Sequence, residues 1–231
     1  MVLVPLFGCG NSDPTFAQAL TPVAPSAAMN SLETLAPAAE VNAVPPKELG
    51  TFRNTVYYLK EEAPYALLPK DTAVKDINGD VLMMVNSKFK KLLDIEGSGK
   101  LIDGRVINFA AKISGEIRYQ FTVHPWGTGV GNCALIPFGS VAVDPDRIPF
   151  GSIIKIAETV GTPLPDGKLH SGFWIASDTG SAIRGDRIDL FSGRETWWPL
   201  IDQYGVSNMQ ALHVELVALP TSSSCINSSP R

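Results

Sequence analysis

Ser140-Val141-Ala142-Val143-Asp144-Pro145-Asp146-Arg147-Ile148-Pro149-Phe150-Gly151, followed by Ala176-Ser177-Asp178-Thr179-Gly180-Ser181-Ala182-Ile183-Arg184-Gly185-Asp186-Arg187-Ile188-Asp189-Leu190-Phe191, is the most informative stretch of the chain. Three of its aspartates stand at strand ends or in strands, where a rigid sheet can present side chains to solvent. Asp144 ends an apolar run before Pro145, and Asp178 follows Phe173–Ala176 and precedes a glycine turn. Asp189 lies inside an Ile-Asp-Leu-Phe run, and an acid between apolar neighbours is the unusual one. Desolvation there raises its pKa, which is what a general acid near neutral pH requires. The plainer reading is an outward-facing residue of an alternating strand.

Outward from this stretch the chain reads as many short strands. Ile117, Tyr119, Phe121 and Val123 alternate with Arg118, Gln120 and Thr122, the pattern of a half-buried strand with the first four inward. Similar runs span 55–59, 81–85, 105–110, 140–143, 152–157, 172–176, 188–191 and 212–217. Asn78-Gly79, Asp103-Gly104 and Asp166-Gly167 are hairpin signals, because both positions accept positive φ. Only 87–93, with Phe89, Leu92 and Leu93 on one side, and 195–203, interrupted by Pro199, read as helical. The fold class is therefore mainly β, a sandwich or barrel with short helical additions.

The pattern A-V-D-P-x-x-I-P-F-G, then D-T-G-x-A-I-x-G-x-x-I-D, closely resembles the 3D domain, named for three aspartates, of membrane-bound lytic transglycosylase A and its relatives. The match runs from 138 to 193. Upstream, Glu96-Gly97-Ser98-Gly99 resembles that family's Q-G-S-G segment, and Thr55-Val56-Tyr57-Tyr58 its T-G-Y-Y segment. The resemblance implies a double-psi β-barrel and a lytic murein transglycosylase, a lyase acting on peptidoglycan glycan strands. It places the catalytic aspartate on Asp189, its companion on Asp178 and a supporting one on Asp144. Thr55, Tyr57, Tyr58, Ser98, Gly99, Thr179, Gly180 and Ala182 fall on glycan-binding segments. Asp146 and Asp186 match variable positions and read as solvated charges. The larger enzymes carry a long insertion between the counterparts of Gly99 and Asp144, whereas here residues 100–143 fill the gap. A shallower groove with fewer sugar subsites is expected.

The implied chemistry needs one carboxyl. A hydrolase needs a second to activate water, but a transglycosylase uses the C6 hydroxyl of N-acetylmuramic acid as nucleophile and leaves a 1,6-anhydro ring. Asp189 first protonates the bridging oxygen and then, as carboxylate, takes the C6 proton. Asp178 either holds Asp189 by hydrogen bonding or raises its pKa as a like charge. No cofactor is needed, and no metal-ligand spacing is present, because His124, His170 and His213 are isolated in sequence. Two other readings compete. Asp178-Thr179-Gly180 is also the aspartic-protease signature, but that chemistry needs two such aspartates and the chain has one. A non-catalytic, expansin-like glycan binder is the stronger alternative. Among Trp126, Trp174, Trp197 and Trp198, the 197–198 pair is the best surface candidate for stacking on sugars.

Composition bounds the rest. The chain has 231 residues, Lys+Arg 19 against Asp+Glu 23 and a net charge of −4, fitting one domain with tails. The acidic balance and the lack of a basic run argue against nucleic-acid binding, and no apolar stretch is long enough to cross a bilayer as a helix. Leu6-Phe7-Gly8-Cys9 resembles the lipobox of bacterial lipoproteins, with Cys9 acylated, and Ala17-Gln18-Ala19 offers an alternative cleavage site. Residues 1–19 are read as a leader remnant, 20–49 as a flexible Ala/Pro/Ser-rich tether, 50–220 as the folded domain and 221–231 as a disordered tail. The expected location is the bacterial envelope or outside the cell, as a monomer. Cys133 is either paired with Cys225 or buried and unpaired.

Overall fold

The structure is a computed structural model and describes residues 42–203 and 205–221. In chain order the strands are β1 (Asn42–Glu61), β2 (Thr72–Lys75), β3 (Val81–Val85), β4 (Ser98–Lys100), β5 (Val106–Ile113), β6 (Glu116–Thr122), β7 (Ser140–Ala142), β8 (Ile153–Ile156), β9 (Phe173–Asp178), β10 (Arg187–Arg194) and β11 (Ala211–Leu219). Helix α1 spans Ser87–Glu96 and helix α2 Trp198–Asp202. The chain is mainly β, as its alternation implies.

Six strands pair in the order β10, β7, β9, β8, β11, β1, and β1 returns to pair with β10, so this ring has no open ladder. The pairs β1–β10 and β7–β9 are parallel and the other four antiparallel. Alternate residues fill its interior: Val141, Ile154, Ile156, Trp174, Ala176, Ile188, Leu190, Leu212 and Val214 form one buried cluster. Burying each large aliphatic side chain contributes about 1.5–3 kcal/mol. The residues between them, Ala142 and Asp189 among others, therefore face outward.

β1 is long enough to join two layers. Its first part pairs with β11, its middle with β10, and Lys60 and Glu61 with β4. β4, β5 and β6 continue the sheet beyond the ring, and α1 and the β2–β3 hairpin pack on them around Val74, Val85, Phe89, Leu93, Ile107 and Tyr119. Asn86 caps α1 by accepting the Lys88 N–H, and Gly97 ends it in the left-handed conformation at φ 78°, as a C-terminal glycine favours.

Several expectations change. β1 begins at Asn42, so residues 42–49 extend the sheet rather than the tether; Pro45 and Pro46 lack ladder N–H groups and fall where the pairing skips from Ala43 to Lys47. β2 and β4 were not expected, because neither three- or four-residue strand carries an alternating apolar pattern. Along β6 and the residue after it, only Tyr119 of the four alternating residues is buried; Phe121 is 38% and Val123 93% exposed. β6 is the last strand of its sheet and the core beneath it ends at Tyr119, leaving Arg105 to stack on Phe121 at 4.3 Å. Cys133 is buried and disulfide-bonded, which removes the unpaired reading. Cys9, Cys225, the leader, residues 20–41 of the tether and residues 222–231 of the tail lie outside the described residues. Among the described residues no helix is long and apolar enough to cross a membrane.

Candidate active site

Ala142 stands opposite Asp189 of β10 on one side and opposite Asp178 of β9 on the other, and Asp189 stands opposite Thr55 of β1. Residues opposed in a ladder point to one face, so Asp178, Ala142, Asp189 and Thr55 form one row across four strands. Asp178 reaches this row by a bulge. The pairing of β7 with β9 steps from Val141–Ala176 to Ala142–Asp178, and the extra residue Ser177 moves Asp178 from the inner to the outer face. Ser177 is itself buried, its hydroxyl donating to Ser140 Oγ at 2.9 Å.

The two aspartates sit two strand spacings apart, roughly 10 Å between backbones, with only a methyl group between them. Ala142 is 3% exposed. Ala142→Leu is expected to place a branched side chain over the carboxyls, costing about 1–3 kcal/mol in packing and about a hundredfold in turnover. Thermal melting and a turnover assay on murein sacculi together check this; unchanged turnover would show that this row is not where substrate binds.

Asp178 does not bond to Asp189. Its Oδ2 accepts the Tyr57 hydroxyl at 2.8 Å and its Oδ1 the Thr179 N–H at 2.8 Å. Burial nevertheless pushes its pKa up to about 6, against the opposing pull of these two bonds. Burial pushes Asp189 further, to about 7; the Thr55 hydroxyl and Arg187 pull it down, while Glu96 and Asp178 add to the rise. Asp189 Oδ1 is buried without a hydrogen-bond partner. An orphaned carboxyl oxygen on the outer face of the ring is a group placed for a ligand rather than for the fold.

The walls of the site combine strand and loop residues. Tyr57, Leu135, Ala142, Ile183 and Phe191 form a small buried cluster with Trp126 against it, and the Tyr57 and Phe191 rings lie 4.9 Å apart. Asn108 fixes the Trp126 loop by accepting the Thr128 N–H and donating to its carbonyl, both at 2.9 Å. Asp144 plays a structural part: its Oδ2 accepts the Gly185 N–H at 2.7 Å and its Oδ1 the Asp146 N–H at 3.1 Å. These bonds hold it below the usual carboxylate range and tie down the loop that joins Asp178 to Asp189. Asp186 is not simply solvated, because Arg147 Nε donates to it at 2.7 Å.

The expected binding residues divide. Thr55 and Tyr57 lie on the aspartate face, and Thr179 and Ala182 are exposed on the loop beside it. Tyr58 belongs to a neighbouring cluster, its hydroxyl donating to Glu195 at 3.1 Å with Lys60 over its ring. Ser98 and Gly99 are buried, and a Cβ on Gly99 would meet Leu93 at 2.9 Å and Phe89 at 3.0 Å. Gly99 is thus required by the packing of α1. The Trp197–Trp198 pair also moves inward, since both rings pack against the ring core and Trp197 stacks on Phe138. Trp126 packs on the cluster beside the aspartates and against Trp197, their ring centroids 5.3 Å apart. Sequence reasoning overlooked Ala142, which only the register reveals.

Part of the sequence and the overall fold are similar to known proteins. The family model of the 3D domain matches residues 139–210, the segment that carries Asp144, Asp178 and Asp189. MltA of Escherichia coli, solved with bound chitohexaose, superposes with a TM-score of 0.53 at 13% identity over 74% of this chain and 72% of its own. The membrane-bound lytic murein transglycosylase of Agrobacterium tumefaciens gives a TM-score of 0.52 at 18% identity over 83% of this chain and 84% of its own. Residues 139–210 are therefore similar to the 3D domain, and the chain shares the fold of the MltA lytic transglycosylases. No curated protein matches it in sequence.

Proposed function

We propose that the protein is a lytic murein transglycosylase that cleaves the β-1,4 bond between N-acetylmuramic acid and N-acetylglucosamine and leaves a 1,6-anhydro end. The observation that carries this reading is Asp189: an outward-facing carboxyl, pushed up to about 7 by burial, with one oxygen lacking a partner. A group with that pKa is both a proton donor and, after donation, a competent base at neutral pH. Asp189 protonates the bridging oxygen; the C1–O bond breaks, the C6 hydroxyl closes on C1, and the Asp189 carboxylate takes the C6 proton. Asp178, oriented by Tyr57, contributes negative charge to the oxocarbenium-like transition state. Asp144 positions the connecting loop, and Thr55, Thr179, Gly180 and Ala182 contact the sugars.

The fold shared with MltA, which was solved with bound chitohexaose, supports a glycan as the ligand. The ring, with its two parallel pairs, is read as a double-psi β-barrel. Peptidoglycan as substrate places the protein in the bacterial envelope, anchored through Cys9 or released. Mass spectrometry of soluble products from purified sacculi tests the reading. Anhydromuropeptides are the expected result. Reducing N-acetylmuramic acid ends would make the enzyme a hydrolase, and binding without cleavage would leave a glycan-binding protein.

A further inference from the structure

Two residues before Thr55 on β1 and two before Asp189 on β10, the same ladder sets Arg53 opposite Arg187. The pairing is regular from Arg53 to Tyr57, its one irregularity falling after Tyr57, so alternate residues keep to one face. Phe52, Val56, Ile188 and Leu190 pack into the ring core. Arg53 and Arg187 therefore share the outer face with Thr55 and Asp189. Two residues of strand rise, about 7 Å, separate the arginine pair from the Thr55–Asp189 pair. Arg53 is exposed and Arg187 half-buried, so the pair opens to solvent.

The fold makes no use of this pair. Residues of like charge directly opposite in a ladder repel, and the neighbouring carboxylates are engaged elsewhere. Asp186 is held by Arg147, Asp144 by the Gly185 and Asp146 N–H groups, and Asp178 by Tyr57 and the Thr179 N–H. Arg105, Arg118, Arg147 and Arg194 each form an ion pair, whereas among the described residues Arg53 and Arg187 form none. Arg187 Nε is in addition buried without a hydrogen-bond partner. A buried donor left unpaired costs stability unless a ligand completes it. Guanidinium groups present forked donors whose geometry fits a carboxylate.

We propose that Arg53 and Arg187 form a carboxylate-binding subsite beside the reacting bond, which takes an acidic group borne by the lactyl ether on C3 of N-acetylmuramic acid. The inference rests on the reading above, in which the ring attacked at C1 lies at Asp189. C3 is two atoms from C1, so its substituent falls within about one sugar ring of Asp189, where the arginines stand. The acid is the lactyl carboxylate itself on strands without peptides, or a carboxylate of the peptide stem joined to it. N-acetylglucosamine carries neither, so the subsite tells the two sugars apart.

Titration calorimetry with three disaccharides that lack the bond to be broken tests this without turnover. They are N-acetylglucosaminyl-N-acetylmuramic acid with its peptide stem, the same disaccharide without the stem, and N,N′-diacetylchitobiose. The wild type is expected to bind at least one of the two acids about tenfold more tightly than chitobiose, and the acid preferred identifies the source of the carboxylate. Arg187→Gln and Arg53→Gln should each remove most of that advantage and leave chitobiose binding unchanged, whereas Arg187→Lys, which keeps the charge, should retain part of it. Arg53 is exposed, so Arg53→Gln answers the question even where Arg187→Gln does not fold. Equal wild-type affinity for all three disaccharides overturns the proposal. So does an equal loss for acids and chitobiose in a variant that melts with the wild type, because the arginines would then serve the sugars in general. Cleavage of sacculi is measured separately: preference for the acids without cleavage removes the proposed reaction and keeps the subsite, and cleavage without preference removes the subsite alone.

Discussion

Asp189→Asn is expected to remain folded, to lose about a thousandfold in turnover on sacculi and to be more stable than the wild type at pH 8. The loss of rate follows from chemistry, since an amide of the same shape neither donates the proton to the bridging oxygen nor takes one from the C6 hydroxyl. The gain in stability follows from linkage. Below pH 3.8 the Asp189 carboxyl is protonated in folded and unfolded chains alike and contributes no difference. Between 3.8 and about 7 the unfolded chain ionises while the folded chain keeps its proton, so stability falls as pH rises. Above about 7 the folded chain carries the buried charge in full, at a cost of up to about 4 kcal/mol. Asn carries none of it.

His170 complicates the wild-type curve in the opposite direction. Its Nε2 lies 2.8 Å from the Phe138 carbonyl and its Nδ1 accepts the Gly172 N–H at 2.7 Å, so the ring is neutral with its proton on Nε2. Burial holds its pKa down at about 4, and stability from this group is lost as pH falls from 6.5 toward 4. The difference between Asp189→Asn and wild type cancels His170, because both chains carry it. Denaturant unfolding at pH 4 and pH 8 therefore isolates Asp189. Equal stabilities at both pH values would mean that the carboxyl is not desolvated, and the general-acid assignment would fall with it.

How much of this was legible in the sequence follows from what each signal encodes. Alternation located nine of the strands because burying one face leaves a period of two, and Gly97 marked the end of α1 because few residues other than glycine accept its φ. Asp189 was legible as an acid flanked by Ile188 and Leu190, whose burial in the ring core puts it on the opposite face. Asp178 was not placed by alternation: counting by twos from Trp174 and Ala176 would turn it inward, and only the Ser177 bulge turns it out. Pairing across strands is a long-range property, so Ala142 between the aspartates shows no local pattern. Phe121 and Val123 failed for a related reason, since their alternation is sound but no layer extends far enough to cover them. The tryptophans misled because surface and core stacking use the same residue type.

Gly129→Ala is expected to do more damage to the fold than any other single methyl group near the site. A Cβ at Gly129 would lie 2.1 Å from the Ser177 carbonyl oxygen and 3.0 Å from Leu135 Cδ2. The first of these is backbone and has no rotamer to escape into. Ser177 cannot retreat, because it is the bulge residue that turns Asp178 outward and its hydroxyl is tied to Ser140. The other side is also held: Gly129 N–H donates to the Cys133 carbonyl, Leu135 N–H to the Gly127 carbonyl, and Asn108 grips Thr128 in both directions. Either β9 or the Trp126 loop must shift, at a cost of about 3 kcal/mol or more, or roughly 6–12 °C in melting temperature for a chain of this size. Gly180→Ala is the control, since its Cβ would meet only the flexible Ile183 Cγ1 at 3.1 Å and should cost less than about 1 kcal/mol. Turnover should fall with stability in Gly129→Ala, because the displaced parts are the wall of the groove and the strand end that bears Asp178. A Gly129→Ala protein that melts with the control and keeps full turnover would mean that the loop does not lie against β9, and the groove would have to be rebuilt without Trp126 as its wall.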